Sequence, residues 1–125
     1  MRNKLMALVI GGLLMLGQSV SANQTMTTQE LQNKLNAKGN FVLLDVRTQE
    51  EYNAGYIAGA ILLPYDEINA KATIVLPDKE KEIVLYCRSG RRSAIAKKSL
   101  LDLGYQKGVD FGGVKRWEGE LVRNK

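Results

Sequence analysis

The apolar positions of the chain fall into short blocks separated by stretches of mixed polarity. Phe41-Val42-Leu43-Leu44 and Ile83-Val84-Leu85-Tyr86 are unbroken apolar runs bounded by polar residues, the pattern of strands buried on both faces of a parallel sheet. Two shorter runs, Ala60 to Leu63 stopped by Pro64 and Val109 to Phe111, read as further strands. Between the runs the spacing becomes helical. Thr27 with Glu30 is a capping-box pair, and Leu31 and Leu35 mark the inner face of a helix ending near Gly39. Thr48 is placed to cap a short helix through Glu50, Glu51 and Tyr52 that Gly55 ends, with Arg47 near enough to pair with one of the glutamates. Tyr65 to Ala72 predicts another short helix. Ala96, Leu100 and Leu103 recur on a helix face closed by Gly104, and Gly112-Gly113 precedes a predicted final helix bearing Trp117. Strands alternating with helices predict an α/β fold, a small parallel sheet flanked by helices on both faces.

Chemistry concentrates between the third strand and the helix after it, in Cys87-Arg88-Ser89-Gly90-Arg91-Arg92. A helix N-terminus favours acidic residues, yet this one carries three arginines. An anion in the loop would account for them, either a deprotonated Cys87 or what it binds. Arginines and a helix N-terminus are also the surroundings that favour thiolate over thiol. A lone cysteine is commonly an inert small hydrophobe and an arginine cluster a solvated face. Here the position favours function, because ligands of open α/β sheets bind at the carboxyl ends of strands. Asp45, at the end of the 41–44 run, is expected to tie loop groups together rather than to act as an acid or base.

The 125 residues suffice for one domain, and 45% hydrophobic and 25% charged residues describe a globular chain. There is no histidine, which excludes a Cys–His dyad, a Ser–His–Asp triad and histidine metal sites. One cysteine excludes a CxxC pair and an intramolecular disulfide. The net charge of +5, without a basic stripe carrying interleaved aromatics, points to small anions rather than nucleic acid. Residues 1–22 have the three parts of a secretory signal: Arg2 and Lys4, an apolar stretch from Leu5 to Gly17, and Val20-Ser21-Ala22 as a cleavage site. The expectation is cleavage after Ala22, a domain over residues 23–125, a periplasmic location and no membrane anchor, the apolar stretch being shorter than the ~20 residues a spanning helix needs.

Taken together, Asp45-Val46-Arg47, Glu51-Tyr52, Ala54-Gly55, Ile57, Gly59-Ala60, Pro64, the Cys87 to Arg92 loop, Gly112-Gly113 and Trp117 make the chain resemble the single-domain rhodaneses, the thiosulfate sulfurtransferases. The resemblance implies a rhodanese-like fold and a double displacement. Cys87 is the nucleophile that takes sulfane sulfur from thiosulfate as a persulfide and passes it to cyanide or a thiol. The loop looks like the C-R-x-G-x-(R or T) pattern that the family associates with thiosulfate. Loop N–H groups of residues 88–92 suit a sulfur anion, and the forked donors of Arg88 and Arg92 suit a sulfonate. Arg91 is either a solvent-facing charge or an attractor of substrate, Ser89 and Gly90 complete the substrate loop, and Asp45 and Arg47 support it. No zinc, nucleotide or flavin motif appears, so no cofactor is implied, and the default is a monomer acting on small molecules. Tyr56 stands where the family often has histidine.

Two alternatives compete. A Cys-dependent phosphatase or arsenate reductase would carry C-x5-R, but the sixth residue after Cys87 is Ser93. A non-catalytic rhodanese-like module, carrying sulfur or binding a partner, commonly lacks the cysteine that this chain retains.

Overall fold

A computed structural model describes residues 26–123; the predicted signal segment lies outside the described residues. Four parallel strands, β1 (Phe41–Asp45), β2 (Ile61–Leu62), β3 (Glu82–Cys87) and β4 (Gly108–Gly113), form one sheet in the order β2-β1-β3-β4. The helices are α1 (Thr28–Ala37), α2 (Gln49–Ala54), α3 (Ile68–Val75) and α4 (Arg91–Asp102), with single 3-10 turns at Tyr65–Glu67 and Val114–Arg116. The predicted parallel sheet with helices on both faces is the observed architecture.

The two apolar runs behave as doubly buried strands must, sending alternate side chains to opposite faces. From β3, Ile83, Leu85 and Cys87 join Leu44, Ile68, Ala72, Ala96, Leu100 and Tyr105 on one face. Val84 and Tyr86 join Leu31, Leu43, Ile57 and Phe111 on the other, where Tyr52 and Trp117 also pack. Burial on both sides leaves β3 in the middle, so the loop after it emerges between the ends of β1 and β4. Both capping boxes form: Thr27 and Thr48 each accept the backbone N–H of the glutamate three residues on, and each glutamate accepts in return. A helix start worth about 1 kcal/mol is thereby fixed at α2, next to the loop.

Three expectations need correction. The helix predicted for Trp117 is absent: the chain makes one 3-10 turn and Trp117 is extended, its indole N–H donating to Glu120 O at 3.2 Å and its ring edge-on to Phe111 at 6.3 Å. Aromatic packing anchors this segment without a helix. The 65–72 segment divides into a 3-10 turn and a helix that runs on to Val75, because the buried face is Ile68 and Ala72 rather than Tyr65. Arg47 pairs with neither glutamate of α2, for the reason given next.

Candidate active site

The end of β1 builds the support. Asp45 is fully buried, and Arg47 follows it on the far side of Val46. Asp45 Oδ1 accepts the Arg47 backbone N–H at 3.0 Å and its Nε–H at 2.9 Å, while Oδ2 accepts from Nη2 at 2.6 Å. This two-residue spacing lets one carboxylate close a tight turn and neutralise the guanidinium, and Asp45 therefore captures Arg47 before the glutamates can. Nη2 also donates to Gly55 O at 2.7 Å, tying the end of α2 to the end of β1. Burial disfavours the Arg47 charge, but the Asp45 hydrogen bond and charge outweigh it and hold the guanidinium above its ordinary pKa. The Tyr86 ring lies 5.5 Å from that guanidinium, and its hydroxyl accepts the Ile57 N–H at 3.0 Å. Burial first, then the Asp45 charge, pushes the Tyr86 phenol far up, so it stays neutral. Tyr56, in the histidine position, stacks on Tyr52 with centroids 4.0 Å apart and exchanges backbone hydrogen bonds with Val122.

Cys87 ends β3 with its side chain fully covered. Gly90, at φ 108°, is the residue before α4, and this left-handed turn aims its N–H at Cys87 Sγ, 2.9 Å away. A left-handed residue here suits glycine, which has no Cβ to oppose it. Of the loop N–H groups expected to converge on the sulfur, that of Gly90 reaches it. Gly113 of β4 faces the loop so closely that a Cβ would stand 2.6 Å from Arg88 O and 2.9 Å from Ser89 Cα. Gly113 is thus what lets β4 and the Cys87 loop touch.

The arginines divide. Arg88 and Arg91, like Ser89, are exposed. Arg92 turns to α2 and forms a two-pronged ion pair with Glu51, Nη1 to Oε1 at 2.8 Å and Nη2 to Oε2 at 2.9 Å. The Arg92 hydrogen bonds pull Glu51 down to about 2, against an opposing effect of burial and with help from Thr48. Glu51 in turn holds Arg92 above its ordinary value.

Two residues outside the expected set also enter. Ser93 Oγ lies 3.5 Å from Cys87 Sγ, 3.1 Å from Gly90 O and 2.8 Å from Asp110 Oδ1. Asp110 Oδ1 also accepts the Gly112 N–H at 2.8 Å. The available signal was an acid inside a strand, where Asp is disfavoured, but its target, 17 residues away, is set by the β3–β4 pairing. That pairing shifts register between Leu85 and Tyr86, so Asp110 lies opposite Leu85 and Gly112 opposite Tyr86.

A parallel sheet with a cysteine in a donor-lined loop after its central strand defines the class. The family model of the rhodanese-like domain matches residues 27–120, and the chain belongs to that family. It is 36% identical over 72 residues to the thiosulfate sulfurtransferase PspE of Escherichia coli, covering 58% of this chain and 69% of that protein. It is 37% identical over 94 residues to the putative sulfurtransferase YtwF of Bacillus subtilis, covering 75% and 89%. The chain spans only about a fifth of another relative, the adenylyltransferase and sulfurtransferase UBA4 of Meyerozyma guilliermondii, with 38% identity over 91 residues and 66% of this chain covered. Among solved structures it is similar to the Alr3790 protein from Anabaena, with a TM-score of 0.73 at 25% identity, covering 78% of this chain and 91% of that one.

Proposed function

We propose that the protein is an exported thiosulfate sulfurtransferase working through a Cys87 persulfide. The observation that carries this reading is Cys87 Sγ at the carboxyl end of the central strand, receiving the Gly90 N–H at 2.9 Å at the start of an arginine-bearing helix. The thiolate attacks the outer sulfur of thiosulfate. The thiosulfate S–S bond breaks with its electron pair leaving on sulfite, and the new Sγ–S bond holds a persulfide anion. Cyanide or a thiolate then attacks the outer sulfur and the electron pair of the Sγ–S bond returns to Cys87, so two easier displacements replace one hard transfer.

Arg88 and Arg91 are exposed at the loop and attract the dianion. Glu51 occupies one N–H on each Nη of Arg92, and the remaining donors of that guanidinium are left for sulfonate oxygens. Because Cys87 is fully covered, the donor reaches sulfur only when the groups that cover it move aside. Export to the periplasm rests on the Arg2 to Ala22 pattern. Among the described residues no helix is long and apolar enough to cross a membrane.

Intact-mass spectrometry tests the reading. Thiosulfate should add the mass of one sulfur atom, cyanide should remove it, and Cys87→Ser should show no gain. An alkylatable Cys87 that gains no mass with thiosulfate would remove thiosulfate as donor.

A further inference from the structure

The Ser93 hydroxyl has one hydrogen and three acceptors in reach. Asp110 Oδ1 is the nearest, at 2.8 Å, and is a carboxylate; Gly90 O lies at 3.1 Å and Cys87 Sγ at 3.5 Å. A charged acceptor takes a hydrogen in preference to a neutral or more distant one. With its hydrogen on Asp110, Ser93 Oγ turns a lone pair toward Cys87, and the contact is made by the thiol S–H donating to Oγ. That contact favours thiol over thiolate. Asp110 is itself held from β4: the Gly112 N–H fixes the same oxygen, and the register shift beside Tyr86 brings both under the loop.

We infer that Asp110 is a positioning residue which, through Ser93, opposes the thiolate form of Cys87 and so counterbalances the Gly90 N–H and the loop arginines. The charged groups around the sulfur then number both signs. Arg88, Arg91 and Arg92 come from the loop and α4, Asp110 from β4, and Glu51 from α2 acts on Arg92; Tyr65, in the 3-10 turn before α3, also lies within electrostatic range of Arg92. The inference deepens the sulfurtransferase reading and rests on it for its purpose. A thiolate that forms too readily is a weaker nucleophile and a better leaving group, and the most effective attacking thiol titrates near ambient pH. In the persulfide the anion is carried on the outer sulfur rather than on Sγ, the atom that Ser93 Oγ faces. Their opposition therefore falls hardest on the free thiolate and favours loading of Cys87 with sulfur.

The experiment is the pH profile of Cys87 alkylation by iodoacetamide, followed by intact mass, in the wild type and Asp110→Asn. Asparagine keeps an oxygen for the Gly112 N–H and removes the charge. A unit charge two hydrogen bonds from the sulfur corresponds to about one pH unit. The alkylation midpoint should move about one unit lower, and the persulfide fraction at a fixed ratio of thiosulfate to sulfite should fall several-fold. A midpoint that is unchanged or moves higher would overturn the inference, whether or not the wild type accepts sulfur from thiosulfate. Loss of loading in the wild type would instead count against the donor and leave the alkylation comparison standing. Ser93→Ala provides a second arm. Without the acceptor for its S–H, Cys87 should again alkylate at lower pH, and a profile superimposable on the wild type would equally reject the role.

Discussion

Replacing Glu51 by Gln separates the charge that holds Arg92 from the helix cap beside it. Glutamine serves the capping box as glutamate does, so the Thr48 N–H keeps its acceptor, now at 2.9 Å on Oε1, and only the ion pair to Arg92 is weakened. The depression of Glu51 from 4.5 to about 2 would correspond to about 3 kcal/mol if it were wholly realised as stability. The two side chains remain 17% and 27% exposed, and solvent screens such a pair. Glutamine also retains the Thr48 share. We therefore expect a loss of about 1–2 kcal/mol at pH 7. The pH dependence follows from the sign of the shift. A carboxyl whose folded pKa lies below its unfolded one stabilises the fold above the unfolded value and ceases to do so as pH falls through the folded value. The difference between the two proteins should be full above about pH 5, shrink below 4.5 and be mostly gone at pH 2. Urea denaturation at pH 7, 4, 3 and 2 measures it, with equal m-values showing that the unfolded states match. A difference under about 0.5 kcal/mol at pH 7, or one undiminished at pH 2, would refute the assignment of the shift to this ion pair.

Two further outcomes are expected. Gly113→Ala places a methyl 2.6 Å from Arg88 O, a backbone atom that cannot swing away; the variant should lose about 2–4 kcal/mol and alkylate Cys87 at an altered rate, as urea midpoints and intact mass will show. Asp45→Asn leaves the Arg47 guanidinium, whose side chain is 7% exposed, without its counter-charge and should cost about 3 kcal/mol, and a urea midpoint within error of the wild type would show that Gly55 O and Tyr86 suffice to hold it.

The strands, the helices around the loop and the position of Cys87 were legible because each depends on its own residues. Continuous apolar runs mark doubly buried strands, Thr with Glu three residues on marks a helix start, and both patterns are local. The glycine pair was visible in the sequence, and the structure shows what it does: Gly112 has φ 100° and Gly113 meets the loop backbone. The partners of the charged residues were not legible. Arg47 had two glutamates in sequence reach, and a buried carboxylate two residues behind it took the guanidinium. Glu51 meets Arg92 across 41 residues and Ser93 meets Asp110 across 17, separations that depend on strand order and register. Trp117 misled for a related reason, since its apolar bulk is satisfied by Phe111 and a carbonyl rather than by a helix face.

Strand order also explains how a helix with the wrong charges at its start is tolerated. β3 lies between β1 and β4, so the loop has a neighbour on each side and each contributes one carboxylate. Glu51, on the helix after β1, neutralises Arg92 directly. Asp110, on β4, reaches the sulfur through Ser93. The positive field anticipated from three arginines is thus narrowed to Arg88, Arg91 and the unused edge of Arg92. What the site offers an incoming anion is therefore the exposed pair and one edge of a guanidinium whose other edge is already committed to Glu51.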